Sequence, residues 1–283
     1  MGVVTLGLVL VSATARAQQP TDPNPGNLTL TMGVDFPTTY LFRGIVQESK
    51  PRLTAQPYGD VGLAFYSRSG GLIRSVGANV GLWNSLQTGS SGLKGPADRA
   101  WYEERFYSSL TLGFGGGASL ATTYIAYTSP NGMFRTVREI NLKVSAANRI
   151  APYGIVAFEL CRRQATRACV NGQADGGSHE GTYLELGAGP SWSIGCSKCV
   201  AAIPLKLGLS LSDYYELGAK DNKFGFFDIG ALFTLPLGVI SSGFGSWNVH
   251  GGADYFKFGD TTKAFNGGDG SKVIGSVGIG LSY

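Results

Sequence analysis

Apolar and polar residues alternate along most of this chain with the two-residue period of a β-strand. The C-terminal stretch SKVIGSVGIGLSY places Val273, Val277, Ile279, Leu281 and Tyr283 on one face and mostly glycine and serine on the other. Such alternation is typical of a strand that separates two different environments. The same pattern predicts twelve strands, in the segments 28–36, 57–67, 72–84, 101–114, 118–128, 136–147, 152–161, 181–194, 200–212, 223–235, 246–258 and 273–283.

The lengths of the segments and of their links favour a membrane barrel. Most segments span 10–14 residues, close to the roughly 9–11 residues of a tilted membrane-spanning strand. Links after even-numbered segments are mostly short and links after odd-numbered segments mostly longer, with exceptions at 129–135 and 236–245. Outer-membrane barrels show this asymmetry, and an even strand number leaves both chain ends in the periplasm. We therefore predict an all-β fold, a transmembrane antiparallel up-and-down β-barrel of about 12 strands formed by residues 28–283.

The polar face of the predicted strands combines small residues with charged ones, which indicates a crowded and wetted lumen rather than an ordinary solvated surface. Eight acids against four bases on this face predict a mild preference for cations if the lumen conducts. The predicted lumen-lining residues are Asp35, Arg43, Asp60, Glu103, Arg105, Glu139, Lys143, Glu159, Glu185, Lys206, Asp228, His250 and Asp254.

Aromatic residues gather toward the ends of the predicted strands, where the two membrane interfaces would lie. We expect them to form interfacial girdles on the outer face of the barrel. These residues are Tyr40, Phe42, Trp83, Trp101, Trp192, Trp247, Tyr255, Phe258 and Tyr283.

The N-terminus reads as an export signal. The apolar run 2–13 is too short to span a bilayer as a helix and leads into Ala15-Arg16-Ala17, an A-x-A cleavage pattern. We expect a signal peptide at 1–17, a Pro-rich periplasmic linker at 18–27, and export to the outer membrane of a Gram-negative cell. No Lys or Arg precedes the apolar run, which does not fit a complete signal peptide and suggests a clipped start. A folded first strand is the alternative.

Composition narrows the possible partners. Charged residues make up 15% of the chain, Gly numbers 43, and the net charge of +4 is spread along the sequence without a basic run. No nucleic-acid partner is therefore expected. The expected partner is the outer-membrane lipid, with small solutes as possible ligands, and the sequence does not indicate an oligomeric state.

Four cysteines fall into two close pairs, Cys161 with Cys169 and Cys196 with Cys199. In an exported chain, two short-range disulfides are the default. Zinc is the alternative for the CxxC pair, but neither His179 nor His250 stands at ligand spacing. We expect no metal site and no cofactor.

The segment TTYLFRGIVQ, residues 38–47, resembles the Tyr-x-Phe-Arg-Gly-Ile-x-Gln stretch of the TorF-like porins, and GANVGLWNS is similar to the Gly-x-Trp-x-Ser segment of that family. The resemblance implies an outer-membrane barrel of the porin type. If the first strand keeps its register to Gly44, Tyr40 and Phe42 face lipid and Arg43 shares the lumen face with Asp35. Arg43 then either lines a constriction or satisfies a lumenal carboxylate.

The terminal strand carries a further resemblance. Its alternating residues Val277, Ile279, Leu281 and Tyr283 are similar to the C-terminal signal that the barrel-assembly machinery reads in outer-membrane proteins. This machinery is therefore an expected partner.

The leading functional hypothesis is a non-catalytic barrel, a porin for small solutes. A lipid-modifying enzyme is one alternative, with His179 in GGSHEG or His250 beside Asn248 and Asp254, but neither histidine has a recognisable nucleophile and no G-x-S-x-G is present. A non-conducting structural or adhesive barrel acting through outer loops, notably 161–169, is another. A soluble secreted β-sandwich is the last.

Overall fold

The computed structural model describes residues 26–93, 100–160, 180–196, 199–218 and 220–283. The predicted signal peptide and most of the predicted linker lie outside the described residues. Cys161 and Cys169 also lie outside them.

Twelve antiparallel strands form the wall of the barrel. Each strand pairs with its neighbours in the chain, and the last strand pairs with the first. The predicted twelve-stranded barrel is therefore confirmed. The strands are β1 Leu28–Pro37, β2 Thr54–Ser67, β3 Ile73–Gln87, β4 Trp101–Phe114, β5 Ala118–Thr128, β6 Val137–Ala146, β7 Tyr153–Leu160, β8 Thr182–Ala188 continued by Ser191–Ser193, β9 Val200–Ala202 continued by Leu205–Ser212, β10 Phe224–Pro236, β11 Ser246–Phe258 and β12 Ser271–Ser282.

Closure of the barrel occurs between β1 and β12. Val34 lies opposite Ile279 in the antiparallel register. The backbones of Leu30 and Tyr283 exchange two hydrogen bonds of 2.7 and 2.8 Å. Because the sheet has no free edge, its backbone amides and carbonyls find partners within the wall, as a lipid surrounding requires.

The outer face of the wall is apolar and the inner face polar. Large apolar side chains point outward and are exposed on strands all around the wall. Examples are Leu110 on β4, Val144 on β6 and Phe233 on β10. A surface of this kind is suited to hydrocarbon rather than water. Among the described residues, none of the helices is long and apolar enough to cross a membrane.

The barrel follows the plan of bacterial outer-membrane proteins. The strand number is even, and both the start of β1 and the end of β12 lie at the end of the barrel that carries the short turns. The protein resides in the outer membrane of a Gram-negative cell.

Links at the opposite, outer end carry the additional structure. Residues 88–100 include the short helix α1, Ser90–Leu93, and residues 259–270 include α2, Asp260–Phe265. Residues 213–223 include a small hairpin of Glu216–Leu217 and Lys220–Asp221.

At the periplasmic end, 3₁₀ turns lie at Gly115–Gly117 and Ser242–Phe244. A disulfide joins Cys196 to Cys199 in the turn between β8 and β9.

The link between β1 and β2 does not extend outward. It folds into the lumen, where Leu41–Phe42 and Ile45–Val46 form a two-stranded hairpin that we call the inner hairpin. The first strand does not keep its register to Gly44, so Tyr40 and Phe42 do not face lipid as that register would require. β1 ends at Pro37, and Tyr40 is 0% exposed.

Aromatic packing explains this difference. The Tyr40 ring lies 5.6 Å from the ring of Trp83 and the Phe42 ring lies 5.4 Å from that of Tyr127, measured between centroids. Tyr40 is therefore buried, and Phe42 half-buried, against aromatic residues of the inner wall.

The predicted aromatic girdle is correct only in part. Trp101, Trp192, Tyr255 and Tyr283 are exposed on the outside of the wall, as expected. Tyr40, Phe42, Trp83 and Phe258 lie inside and belong to the packing of the lumen. Trp247 is half-buried, and its indole N–H donates to the carbonyl of Phe244.

Candidate functional site

The turn of the inner hairpin is formed by Arg43 and Gly44, which both have positive φ angles, 45° and 86°. Positive φ at both central residues is the pattern of the type I′ turn that suits two-residue hairpins. The tip is held from two outer links. Tyr215 donates to the carbonyl of Arg43 at 2.9 Å, and the side chain of Asn266 donates to the carbonyl of Gly44 at 2.8 Å.

The side chain of Arg43 reaches the wall at Glu139 of β6. Its guanidinium donates two hydrogen bonds to the Glu139 carboxylate, at 2.9 and 2.8 Å, and a third to the Tyr214 hydroxyl at 2.9 Å. Tyr127 donates to the same carboxylate, and the ring of Tyr183 lies 4.2 Å from the guanidinium carbon. We call these five residues the Arg43 centre. A bidentate pair in this geometry combines charge with directional hydrogen bonds.

A second arginine, Arg105 of β4, is enclosed beside the hairpin. It donates to Glu103 at 2.5 Å and to the Tyr40 hydroxyl at 2.5 Å, while Tyr40 donates to the other oxygen of Glu103. The rings of Phe42 and Trp83 lie 4.5 and 4.4 Å from its guanidinium carbon. We call these five residues the Arg105 centre.

Phe42 connects the two centres, because its ring also lies 4.9 Å from the guanidinium carbon of Arg43. The hairpin is thus fixed to the wall by cation–π and ionic contacts on both sides.

The seam of the barrel carries a histidine–carboxylate contact. His250 of β11 contacts Asp35 of β1 at 2.6 Å through Nε2 and Asn248 at 2.9 Å through Nδ1. The contact crosses the intervening strand β12 at Gly278, where a Cβ atom would lie 2.2 Å from the Asp35 carboxylate. Asp254, the acid expected beside His250, is not the partner.

Other glycines on the inner face also provide space for side chains of neighbouring strands. A Cβ atom on Gly81 would lie 2.3 Å from the ring of Tyr107, and one on Gly187 would lie 2.2 Å from the ring of Tyr153. Large tyrosine side chains therefore lie flat across the glycines of neighbouring strands. This explains why the polar face of the sequence pairs tyrosine with glycine.

The structure places all thirteen predicted lumen-lining side chains inside the barrel, either buried or half-buried. Several have partners inside the barrel: Lys206 with Asp228 at 2.7 Å, Glu185 with Tyr153 and Tyr183 at 2.8 and 2.7 Å, Asp60 with Asn79 at 2.5 Å, Glu159 with the backbone N–H of Gly181 at 2.8 Å, and Lys143 with the ring of Tyr153 at 5.1 Å.

Six residues of the two centres were not among the predicted site residues: Tyr40, Phe42, Trp83, Tyr127, Tyr183 and Tyr214. Glu48, described below, was not predicted either. Tyr40 was assigned to the lipid face because the strand was extended too far. The available signals were Pro37, which disfavours a continuing central strand, and Gly44, which tolerates the positive φ of a turn.

At the C-terminus, Val277 and Tyr283 are exposed on the outer face, and Ile279 and Leu281 are half-buried. The contact of these residues with the assembly machinery stays a prediction.

Glu48 anchors the far end of the inward link. Its carboxylate accepts hydrogen bonds from the backbone N–H groups of Lys50, Ser90 and Ser91, at 2.8, 3.1 and 2.8 Å, and from both serine hydroxyls. Burial raises the pKa of Glu48, but the hydrogen bonds from Ser91, Lys50 and Ser90 outweigh it, so the pKa lies below its ordinary value. The inward link is therefore tied to the start of α1 by an ionised carboxylate.

Because the folded-state pKa of Glu48 is lowered, its stabilisation is complete above the ordinary value of 4.5 and is lost as the pH falls through the folded-state pKa. The protection factors for amide hydrogen exchange of residues 38–53 should therefore stay constant from neutral pH down to 4.5 and fall on further acidification. Glu48→Gln should remove this acid-dependent step, whereas Glu216→Gln on another outer link should keep it. An unchanged step in Glu48→Gln would contradict the assignment.

The comparisons with known proteins concern the fold alone. No protein-family model and no curated protein matches the sequence. Outer membrane phospholipase A from Escherichia coli is similar in structure, with 10% identity, a TM-score of 0.46, and coverage of 89% of this chain and 92% of that chain. The translocator domain of the autotransporter NalP from Neisseria meningitidis has 13% identity, a TM-score of 0.40, and coverage of 99% and 95%. The NanC porin has 12% identity, a TM-score of 0.40, and coverage of 89% and 98%.

Proposed function

We propose that the protein passes small polar solutes across the outer membrane through a lumen that the inner hairpin narrows, and that it catalyses no reaction. The observation that carries the proposal is the position of residues 38–53. This link enters the lumen and is fixed to the charged wall through Arg43 and Glu139. An inward loop that faces charged wall residues is a means of setting the width and selectivity of a pore.

The lumen on the periplasmic side of the hairpin supports passage. Its wall carries small polar side chains that are only half-buried, including Thr31, Asn79, Thr111, Thr123 and Ser145. The barrel size is also suitable, because twelve strands lie between the filled barrels of about 8 strands and the open porins of about 16–18 strands. The side chains of a twelve-stranded wall therefore do not fill the lumen by themselves. The hairpin occupies part of the remaining space at one height along the barrel axis.

The sequence resemblance agrees with this proposal. The segment TTYLFRGIVQ that is similar to the TorF-like porins is the segment that forms the inner hairpin. We include a relationship to these porins in the proposal.

The site at His250 supports the non-catalytic part of the proposal. Both ring nitrogens of His250 are already engaged, by Asp35 and Asn248. A general base for a serine nucleophile needs one ring nitrogen directed at that hydroxyl.

Conductance in planar bilayers tests the proposal. Deletion of Leu41–Val46 should widen the lumen and raise single-channel conductance several-fold over the full chain, since conductance follows the narrowest section of a pore. Deletion of six residues from the periplasmic turn, 238–243, is the matched control and should leave conductance close to that of the full chain. If the hairpin deletion conducts no better than the full chain, side chains of the wall close the lumen, and a structural or adhesive barrel explains the protein better.

A further inference from the structure

Three adjacent strands, β9, β10 and β11, bring a lysine and two aspartates to one patch of the inner wall. Lys206 lies directly opposite Asp228, and Gly230, two residues farther along β10 on the same face, lies directly opposite Asp254. Cross-strand and diagonal neighbours on one face of a sheet are within reach of each other's side chains. Lys206 donates to Asp228 Oδ2 at 2.7 Å.

Among the described residues, two carboxylate oxygens of this patch have no hydrogen-bond partner. They are Oδ1 of Asp228 and Oδ1 of Asp254, and both are shielded from solvent. The side chains are 0% and 6% exposed. A buried carboxylate oxygen without a partner is costly, so such atoms indicate a ligand that supplies positive charge or a donor.

Gly230 explains why Asp254 is directed into the patch. A Cβ atom at Gly230 would lie only 2.1 Å from Asp254 Oδ1 and 3.0 Å from the ring of Pro204 on β9. The Asp254 carboxylate therefore leans across Gly230 toward β9 and β10. Its free oxygen is directed to the side of the lumen on which Asp228 and Lys206 lie.

The charges of the patch do not balance. Lys206 provides one positive charge, and the two carboxylates provide two negative charges when both are ionised. Hard oxygen ligands suit alkali and alkaline-earth cations. The neighbouring ammonium opposes a divalent ion, and the described residues contain no group of three or more His, Cys, Asp or Glu that could hold a metal.

We propose that Asp228 and Asp254 form a subsite for a small monovalent cation in the wall of the lumen, with Lys206 holding Asp228 in position. This inference rests on the proposed passage of solutes and specifies that the solutes include small monovalent cations. A cation that binds here exchanges part of its hydration shell for the two free oxygens. Because the site supplies only two protein oxygens beside an ammonium, binding is weak enough to permit release.

Ion selectivity of wild type and variants tests the subsite. In a potassium chloride gradient, the full chain or the hairpin deletion should pass potassium in preference to chloride. Asp254→Asn keeps the shape and removes one charge, so the permeability ratio should fall by about fivefold, the effect of one unit charge about 4 Å away at the dielectric constant of water. Asp60→Asn is the matched comparison, because that lumenal carboxylate already accepts a hydrogen bond from Asn79, and its effect should be clearly smaller.

The outcomes distinguish a specific effect of the subsite from the effect that any negative charge in the lumen has on selectivity. Equal losses in the two variants, an unchanged ratio in Asp254→Asn, or chloride preference in the wild type would each overturn the subsite. If neither the full chain nor the hairpin deletion conducts, the proposed function fails, and sodium-23 NMR of the protein folded in micelles then decides the subsite alone. Line broadening that Asp254→Asn abolishes supports the subsite, and its absence overturns it. Gel mobility of unheated samples shows that each variant is folded.

Discussion

Replacing Arg43 with methionine is expected to lower the free energy of unfolding of the barrel by about 3–5 kcal/mol, because the substitution leaves the carboxylate of Glu139 buried without its counter-charge. Glu139 is 0% exposed, and the Arg43 guanidinium is its bidentate partner. Urea unfolding of the micelle-bound protein, followed by tryptophan fluorescence, measures the change.

The loss of unfolding free energy in Arg43→Met is compared with that in two further variants. Arg43→Met combined with Glu139→Gln should recover most of the loss, since no unpaired charge is then buried. Lys223→Met breaks an exposed pair with Asp221, in which the lysine side chain is 65% exposed, and should cost about 1 kcal/mol or less. Equal effects of Arg43→Met and Lys223→Met would show that the inner hairpin does not depend on the buried pair.

Replacing Gly278 with alanine is expected to destabilise the seam of the barrel by about 1–3 kcal/mol, because an inserted methyl group overpacks the contact between β1 and β11. The new Cβ atom would lie 2.2 Å from Asp35 Oδ1, 2.5 Å from His250 Nε2 and 2.8 Å from the backbone oxygen of Val34. The side chains can move, but the backbone oxygen of β1 cannot do so without disturbing closure. Unfolding measured as above reports the loss.

A second glycine of the same strand is the control. At Gly275 the nearest atom to an added Cβ would be a methyl carbon of Thr38 at 3.5 Å, an ordinary contact. Gly275→Ala should therefore be neutral or stabilising by up to about 1 kcal/mol, since alanine loses less backbone entropy than glycine in a strand. Comparable destabilisation by the two substitutions would mean that β12 is intolerant of alanine in general and that the Asp35–His250 contact has no special part in closure.

The two arginines of the lumen both fix the inner hairpin to the barrel wall. Each guanidinium group is held between a carboxylate and aromatic rings, and the link that carries the hairpin contributes Tyr40 and Phe42 to the surroundings of Arg105. A hairpin that moves must therefore uncover two buried ion pairs at the same time. This coupling makes the inner hairpin a stable constriction rather than a freely mobile loop.

The alternation of apolar and polar residues predicted most of the barrel wall but few of the contacts inside the lumen. All twelve strands followed from an alternation that is repeated every two residues, with boundaries within three residues of those observed, and the outward positions of Phe233 and Val277 follow from the same period. The inward link was misassigned because the alternation of Tyr40 and Phe42 fits a strand equally well. Only contacts with distant wall residues distinguish the lumen from the lipid as their surrounding.

By itself, then, the sequence determined that the chain forms twelve membrane-length strands with an apolar and a polar face, because this information is local and is repeated in every segment. The tertiary structure alone decided that residues 38–53 turn inward and which groups meet in the lumen. Arg43 meets Glu139 across 96 positions of the chain, and His250 meets Asp35 across 215. Closure of the barrel creates those pairs, since strand register and the curvature of the wall bring together residues whose spacing in the sequence carries no periodic signal.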